Sequence, residues 1–410
     1  NVCINFCAYI LPIKFISMKK RNVAILGSTG SIGKASLDIF ISDKKNFKVI
    51  LLSAKSNYSL IIKQIKKIKP SYFIINDYDV FQKVSKKFNN SKTKILNNYK
   101  NLPIKINFDI TISCIVGIAG LEPTIEFIKR SKKILLANKE SIICGWHIIN
   151  NISKKYKTTI VPVDSEHFSI HQLTKNFKNS DLKKIYLTAS GGPFLKKPLS
   201  SFSKIRVKDA IRHPNWSMGK KISIDSSNLM NKVLEIIEAY KFFPFSIDKY
   251  EIIIHPQSLI HAVVIFKNGQ VKFLYHETDM KIPIANAIYD NNFDITKIIK
   301  SKKQFLKNST FLNFEKVDKK KFPIVTFLKR KIYNNSSPII LNASNEILVD
   351  CFIKGKISFN GIYRYLKLVF NDRDFKKYAI KKTPSIKDIY EIDNWAREKT
   401  LELIGDNNEK

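Results

Sequence analysis

The feature that most restricts the fold of this chain is a strand, a glycine turn and a helix in immediate succession. Asn22-Val-Ala-Ile-Leu26 has the β-branched, apolar character of a buried strand. Gly27-Ser-Thr-Gly-Ser-Ile-Gly33 follows, and Lys34-Ala-Ser-Leu-Asp-Ile-Phe40 then carries apolar residues at helical spacing. A dinucleotide site requires this order. Gly27 permits a tight turn, Gly30 lets backbone amides approach a pyrophosphate, Gly33 lets helix and strand pack closely, and the helix N-terminus favours negative charge. The glycines are spaced G-x-x-G-x-x-G rather than G-x-G-x-x-G, so the flanking strand and helix carry the reading. Further strands from Phe47 to Leu52, Tyr72 to Ile75, Ile110 to Val116 and Lys133 to Ala137 alternate with helical stretches, which implies a parallel sheet. After the second strand, Ser53-Ala-Lys-Ser-Asn57 lacks the acid that would hold ribose hydroxyls. Lys55, Ser56 and Asn57 are suited instead to a 2′-phosphate, which favours NADPH over NADH.

The second half has a different texture. In Val161-Pro-Val-Asp-Ser-Glu-His167 the Val-rich start reads as a strand ending in a loop, so Asp164 and Glu166 share one face. Two carboxylates side by side repel unless a cation lies between them, and a hard divalent ion such as Mg²⁺ or Mn²⁺ fits. Glu235, in the helical run Ser227 to Glu238, is the best candidate for a third ligand. Leu187-Thr-Ala-Ser-Gly-Gly-Pro-Phe194 is a strand running into a glycine turn, with Ser190 placed to offer a hydroxyl to an anionic oxygen. Ala210-Ile-Arg-His-Pro-Asn-Trp-Ser-Met-Gly-Lys-Lys221 reads as a lid whose Trp216 can exclude water. With a helix beginning near Ser226 or Ser227, Asn231 and Glu235 lie one turn apart and Lys232 stands beside them. Ser226 at that helix N-terminus and Lys232 would then take a phosphate.

A length of 410 residues implies two or three domains. The net charge of +37 is spread along the whole chain. It argues against nucleic-acid binding and for an anionic substrate and cofactor. No apolar run is long enough for a membrane span. Cys3, Cys7, Cys114, Cys144 and Cys351 show no pairing or zinc spacing and fit a reducing compartment. Residues 1–17 lack a basic start and a cleavage motif, and Met18 is a good initiator, so they read as an extension outside the fold. An eroded organelle-targeting segment is the alternative. His167, His255 and His261 read as supports for the site, and the stripe from Ile357 to Phe370 as helix core.

Taken together, the motifs resemble the 1-deoxy-D-xylulose 5-phosphate reductoisomerase family. Those at 27–33, 162–167, 190–194 and 213–219 are joined by Leu-Ala-Asn-Lys-Glu-Ser at 136–141, Met-Asn-Lys at 230–232, His-Pro-Gln-Ser at 255–258 and Leu-Asn-Ala-Ser-Asn-Glu at 341–346. The resemblance implies an α/β chain: a Rossmann-like NADPH-binding domain over 18–163, an α/β catalytic and metal-binding domain over 164–290 with a lid near 206–221, a linker over 291–313, and a C-terminal α-helical bundle over 314–410. It implies a homodimer in the bacterial cytoplasm, or alternatively a plastid-type organelle, acting on a small phosphorylated sugar in the non-mevalonate route to isoprenoids. Asp164, Glu166 and Glu235 would hold Mg²⁺ or Mn²⁺, with Co²⁺ as a further option. Lys139 and Ser165 would contact substrate oxygens, and Ser190, His213, Ser226, Asn231 and Lys232 would bind the hydroxyl and phosphate ends. Trp216 and Met218 would belong to the closing loop. Gly27, Ser28, Thr29, Gly30, Ser31, Ile32, Gly33, Lys55, Ser56, Asn57, Asn138, Glu140, Met218 and Gly219 would line the cofactor. Two positions depart from the family: Val233 replaces a usual glycine, and Ala54-Lys-Ser-Asn57 replaces Ala-Gly-Arg-Asn or Ala-Gly-Lys-Asn. The competing reading is another NADPH-dependent oxidoreductase, homoserine-dehydrogenase-like, which needs neither the carboxylate trio nor the Ser190 and Trp216 loops. A non-catalytic basic binding protein rests on charge alone.

Overall fold

Strand β1 (Arg21–Leu26) runs through the middle of a parallel sheet, and the chain alternates strand and helix around it. A computed structural model describes residues 19–216, 218–299, 311–330 and 336–408; the proposed leader at 1–17 and much of the proposed linker lie outside the described residues. In chain order the first layers are α1 (Ser31–Ser42), β2 (Phe47–Ala54), α2 (Tyr58–Ile68), β3 (Tyr72–Ile75), α3 (Tyr78–Lys87), β4 (Lys94–Leu96), β5 (Phe108–Ser113), α4 (Leu121–Ile128), β6 (Ser131–Leu136), α5 (Lys139–Tyr156) and β7 (Thr159–Pro162). The strand order is β4-β3-β2-β1-β5-β6-β7, parallel throughout. Strand order reverses between β1 and β5, and the crevice beyond the carboxyl ends of strands at such a point is where doubly wound sheets hold ligands. The strands are buried on both faces: Val23, Ile25 and Ile112 pack one side, Ala24, Leu26 and Ile134 the other.

Helix α6 (Ser165–Thr174) leads into a second sheet made of β8 (Leu182–Ala189), β9 (Tyr250–Ile254), β10 (Ile260–Phe266), β11 (Val271–Tyr275) and β12 (Glu315–Lys316), ordered β11-β10-β8-β9-β12. Among the described residues of this sheet, β8 and β9 pair in parallel and the other pairings are antiparallel. Between β8 and β9 come α7 (Val207–Ala210), α8 (Lys220–Ser227) and α9 (Met230–Phe242). Helix α10 (Lys281–Tyr289) follows β11, and α11 (Ser337–Ile353), α12 (Phe359–Asn371), α13 (Phe375–Ala379) and α14 (Ile386–Asn408) form a terminal helical layer. Ile284, Ala285 and Ile288 of α10 belong to the core under the first sheet, while β12 pairs with β9. The apolar stripe from Ile357 to Phe370 is core as expected, with Ile362, Tyr365, Leu366 and Val369 buried on α12.

The glycine turn is sterically required at two of its three positions. Gly27 has φ +89°, and a Cβ there would lie 2.7 Å from the Cys114 carbonyl oxygen. A Cβ on Gly33 would lie 2.3 Å from the Gly27 carbonyl oxygen, so α1 could not sit against the turn. Gly33→Ala is expected to destabilise the fold by about 1–3 kcal/mol through overpacking. Urea denaturation checks this, and an unchanged midpoint would contradict the close approach.

Candidate active site

Three acids from two segments far apart in sequence meet where the two sheets adjoin. Ligand oxygens of Asp164, Glu166 and Glu235 all lie within 4.8 Å of one another. Asp164 caps α6, its side chain accepting from the Glu166 amide at 3.2 Å. This corrects the extended reading of the pair: Glu166 stands in the first turn of a helix, not two steps along a strand. An N-cap aspartate and an acid in the first turn both suit the positive end of the helix, and that local signal was overridden by the Val-rich run before it. Helix α9 presents Asn231, Lys232 and Glu235 on its buried side.

The lysines lie among the acids. Lys139, the first residue of α5, comes alongside because α5 packs on α9, with Trp146 against Phe242 at 4.9 Å between ring centroids. Its Nζ donates to Asn231 Oδ1 at 2.7 Å and sits 3.4 Å from Glu235 and 3.6 Å from Asp164. Asn231 donates in turn to Glu235 Oε1 at 2.5 Å. Lys232 Nζ pairs with Glu235 Oε2 at 2.6 Å and with Glu166. Burial opposes the charge on both lysines, but Glu235 and Asp164 hold Lys139, and Glu166 and Glu235 hold Lys232, above the ordinary lysine value. Burial first, then the neighbouring Glu235 carboxylate, pushes Glu166 up to about 7. Asp164 goes the other way: burial notwithstanding, Lys139 and His167 hold it well below the carboxylate range. His167 bridges the segments, with Nδ1 3.2 Å from Asp164 Oδ1 and Nε2 2.9 Å from the Glu235 carbonyl oxygen. Both ring nitrogens face acceptors, which favours the imidazolium; burial opposes it, but Glu238 and Asp164 hold it up to about 9. A carboxylate lifted by neighbours of its own sign is where a divalent cation gains most, so this donor set fits a hard metal ion.

The acids open into a cavity of about 370 Å³, a size ordinary for small-molecule sites. Lys139, Ser165, Ser190, His213, Trp216, Met218, Gly219, Ser226, Asn231 and Lys232 line it, and so do Ser31 and Ile32 at the start of α1. Gly27, Thr29, Gly30 and Gly33 complete the turn beside it. Lys55, Ser56 and Asn57 are exposed at the carboxyl end of β2, next to that turn. Gly30 caps α1 with no side-chain bond to the first-turn amides, and no acid lies in that turn. A Cβ on Gly30 would come no closer than 3.4 Å to the protein, so its bareness serves no packing need, which suits close approach by a pyrophosphate.

Some expected residues face elsewhere. Ser28 is fully buried and donates to Gln64 Oε1 at 2.7 Å, while Gln64 donates back to its carbonyl at 2.8 Å, so this side chain braces the turn against α2. Asn138 caps α5 and donates to the Ile115 carbonyl at 2.6 Å and to Glu140 at 2.8 Å. Both Asn138 and Glu140 are buried behind the cavity wall. Ser226 lines the cavity but ends α8 instead of starting a helix: Leu229, at φ +68°, breaks the chain and α9 begins at Met230. The break is made by Asn228 and Leu229, with Asn228 Oδ1 accepting from the Met230 amide at 2.9 Å, and it carries no glycine or proline. Val233 is buried in α9, which continues through it without interruption. Sequence reasoning gave no role to Ser258, Thr278, Asp279 or Met280, which also line the cavity. Ser258 sits in a motif quoted for the resemblance, whereas residues 278–280 carry no motif and are brought in only by the turn from β11 to α10.

The segment carrying Trp216 is tied down at one end. Asn215 donates to the Pro256 carbonyl at 2.6 Å and to Ser258 Oγ at 2.9 Å, and the Trp216 ring meets His261 edge-on at 5.9 Å. His213 Nδ1 accepts from the Asn215 and Trp216 amides at 3.1 and 3.0 Å, so the ring proton belongs on Nε2, 2.9 Å from Ser190 Oγ. Ser190 Oγ also accepts from the Gly192 amide at 3.1 Å, leaving its own proton to donate into the cavity.

With the geometry in hand, comparison with known proteins settles the family. The sequence profile of 1-deoxy-D-xylulose 5-phosphate reductoisomerase matches residues 23–145, that of its C-terminal domain matches 160–243, and a further DXP reductoisomerase C-terminal profile matches 276–399. A 1-deoxy-D-xylulose 5-phosphate reductoisomerase of Pelagibacter ubique is 45% identical over 385 residues, 92% of this chain and 97% of its own. The chain belongs to the 1-deoxy-D-xylulose 5-phosphate reductoisomerase family. A second family member, from Wolbachia pipientis of Culex pipiens, is 38% identical over 94% of this chain and 97% of its own. Among solved structures, the Zymomonas mobilis reductoisomerase in complex with NADPH aligns with TM-score 0.84 and 30% identity, over 94% of this chain and 99% of that one. A DOX-P reductoisomerase in complex with NADPH, fosmidomycin and magnesium aligns with TM-score 0.87 and 30% identity, over 94% and 98%. The α/β fold with a dinucleotide-type parallel sheet and a helical C-terminal layer is that of the family, and the competing oxidoreductase reading, which has no use for an assembled carboxylate trio, is not favoured.

Burial first, and then the Lys232 ammonium, pushes His213 down to about 4. An NMR titration is expected to show no protonation of this ring above about pH 5. Because the unfolded ring takes up its proton near 6.5, this residue costs stability progressively as pH falls from about 6.5 towards 4. A His213 midpoint above 6 would contradict the donor arrangement at Ser190.

Proposed function

We propose that this chain catalyses the NADPH- and divalent-metal-dependent rearrangement and reduction of 1-deoxy-D-xylulose 5-phosphate to 2-C-methyl-D-erythritol 4-phosphate. One observation carries the reading: three convergent acids share a cavity with the start of the glycine-turn helix. Asp164, Glu166 and Glu235 would hold Mg²⁺ or Mn²⁺, while the glycine turn, with Lys55, Ser56 and Asn57 at its flank, would hold NADPH. When bound, the metal supplies Lewis-acid stabilisation of negative charge on substrate oxygens, and NADPH supplies the hydride.

The protein's own groups do the rest. Lys139, kept as an ammonium by the acids around it, is a donor to a developing oxyanion and not a base. Ser165 donates to Glu166 at 2.5 Å and stands ready beside the substrate's oxygens. Lys232 neutralises Glu166 and Glu235 here; with a cation on those acids it is free to serve the phosphate, alongside Asn231 and Ser226. Ser190 donates its proton to a substrate oxygen, held in that role by the neutral His213. Trp216 and Met218 close over the cavity and exclude water, which protects a bound aldehyde from escape before reduction.

We further propose a homodimer formed through the outer face of the second sheet. Val271 and Phe273 are 54% and 50% exposed on β11, opposite Ile265 and Val263 on β10. Bacterial relatives and unpaired cysteines at 114, 144 and 351 favour the bacterial cytoplasm. The division into an NADPH-binding unit, a catalytic unit and a C-terminal helical unit joined by a linker is part of the same reading.

Purified protein should oxidise NADPH with 1-deoxy-D-xylulose 5-phosphate and Mg²⁺ or Mn²⁺ and stop on adding EDTA; a folded sample showing no metal-dependent oxidation would refute the assignment. Glu235→Gln should keep NADPH binding but lose turnover by at least about a hundredfold, since a metal's charge stabilisation amounts to several kcal/mol. Lys232→Ala should chiefly raise KM. In sedimentation, Phe273→Lys should shift a dimer to monomer, and an unshifted dimer would place the interface elsewhere.

A further inference from the structure

Helix α8 is too short to hold its own position, yet it carries one wall of the cavity. It has eight residues and no side-chain cap at Gly219, and helices of that length are marginal without tertiary support. Ile222 and Ser226, one turn apart, face the cavity, and Met218 and Gly219 lead into the helix. Lys221 and Asp225, also one turn apart, lie about 100° around the axis from them and look towards the terminal helical layer. Asp225 is 1% exposed; its Oδ2 pairs with Lys221 Nζ at 2.8 Å and its Oδ1 accepts from Asn345 Nδ2 of α11 at 2.9 Å. Asn345 is fully buried. Helix α11 is itself fixed: Glu346 accepts from Asn342 at 3.1 Å and from Arg397 of α14 at 2.5 Å, and Arg397 also bonds Asp393 at 2.6 Å.

We infer that Asn345 is a positioning residue for the reaction, holding α8 through Asp225 and thereby setting Ser226 and the closing segment against the substrate. The seam supports this over simple packing. An apolar contact between α8 and α11 would tolerate sliding, whereas a buried carboxylate with one amide and one ammonium is satisfied in a single arrangement. Loss of either partner leaves an unpaired acceptor in the interior, which a short helix relieves most easily by shifting. The shift would be passed across Leu229 to Asn231 and Lys232 at the start of α9.

The inference rests on reading Ser226 and residues 206–221 as facing the substrate, so its test includes a measurement that needs no turnover. Asn345→Asp sets two buried carboxylates together. Since an unsatisfied buried group costs about 1–3 kcal/mol, it is expected to raise substrate KM by about tenfold or more while kcat stays within about threefold. Amide hydrogen exchange over residues 220–227 should accelerate by a similar factor, with the strands of both sheets unchanged. The transposed pair, Asn345→Asp with Asp225→Asn, should restore KM and slow exchange. Asn345→Ala gives a second, milder loss should the aspartate variant fold poorly. Normal KM and normal local exchange in folded Asn345→Ala would overturn the inference. So would a uniform loss of protection across the molecule that the transposed pair does not repair, because that marks a general stability role. Local exchange changes in a protein with no activity on this substrate would instead overturn the functional reading and leave the positioning of α8 standing.

Discussion

Mutual repulsion among buried acids is the constraint around which this molecule is arranged. Glu166, Glu235 and Glu238 are each at most 9% exposed, and Asp164 stands beside them. Carboxylates removed from water at such spacing cost several kcal/mol each unless compensated. The compensation comes from Lys139, Lys232 and His167, contributed by α5, α9 and α6. These helices hang from both sheets, so the charge balance can be met only when the sheets are correctly joined. Geometry that looks catalytic is also the stitching between the two halves of the chain.

That balance is incomplete, and the shortfall has a chemical use. Glu166 is left near neutrality by burial and by Glu235, which means the cluster holds more acid than its lysines and histidine can offset. A divalent cation would settle the excess and release the lysines for other anions. Ser190 and His213 show the same economy on the neutral side. Two amides fix the ring's tautomer, the ring and a third amide occupy the serine's acceptor sites, and a single proton remains to be donated.

How much was legible in the sequence depended on whether the signal was local. The glycine turn was readable because β1 and α1 adjoin it directly and Gly27 and Gly33 admit no Cβ. The acid trio could be named from residue chemistry, but its local structure was misread: the Val-rich run hid a helix cap at Asp164. Ser226 was misplaced because the break at Leu229 is marked in the sequence by a single asparagine, Asn228, whose side chain bonds the Met230 amide, with no glycine or proline beside it. Ser28, Asn138 and Glu140 matched motifs, yet their side chains are consumed by the bonds that shape the turn and cap α5. A motif reports that a position matters, and only partners in space distinguish touching a ligand from holding what touches it. Thr278, Asp279 and Met280 lay beyond local reasoning, since the path of the chain from β11 into α10 alone brings them in.

The whole-chain charge of +37 and the acidic character of the site act over different distances. Exposed lysines spread over the surface produce a field that reaches about one Debye length, roughly 8 Å at physiological salt, and favours the approach of any anion. Such a field cannot select among sugar phosphates, dinucleotides and nucleic acids. Selection begins inside the cavity, where the sign reverses. On the proposed reading, a ligand entering it would present oxygens to a cation held by Asp164, Glu166 and Glu235, and would place its own negative end against Lys232, Asn231 and Ser226. A molecule carrying only negative charge is repelled by whatever acid charge the cation leaves uncompensated, and one without charge gains nothing from the lysines. The arrangement therefore favours a small ligand with a chelating, uncharged end and a phosphate end, and it does so through fixed side chains that no change in surface composition would disturb.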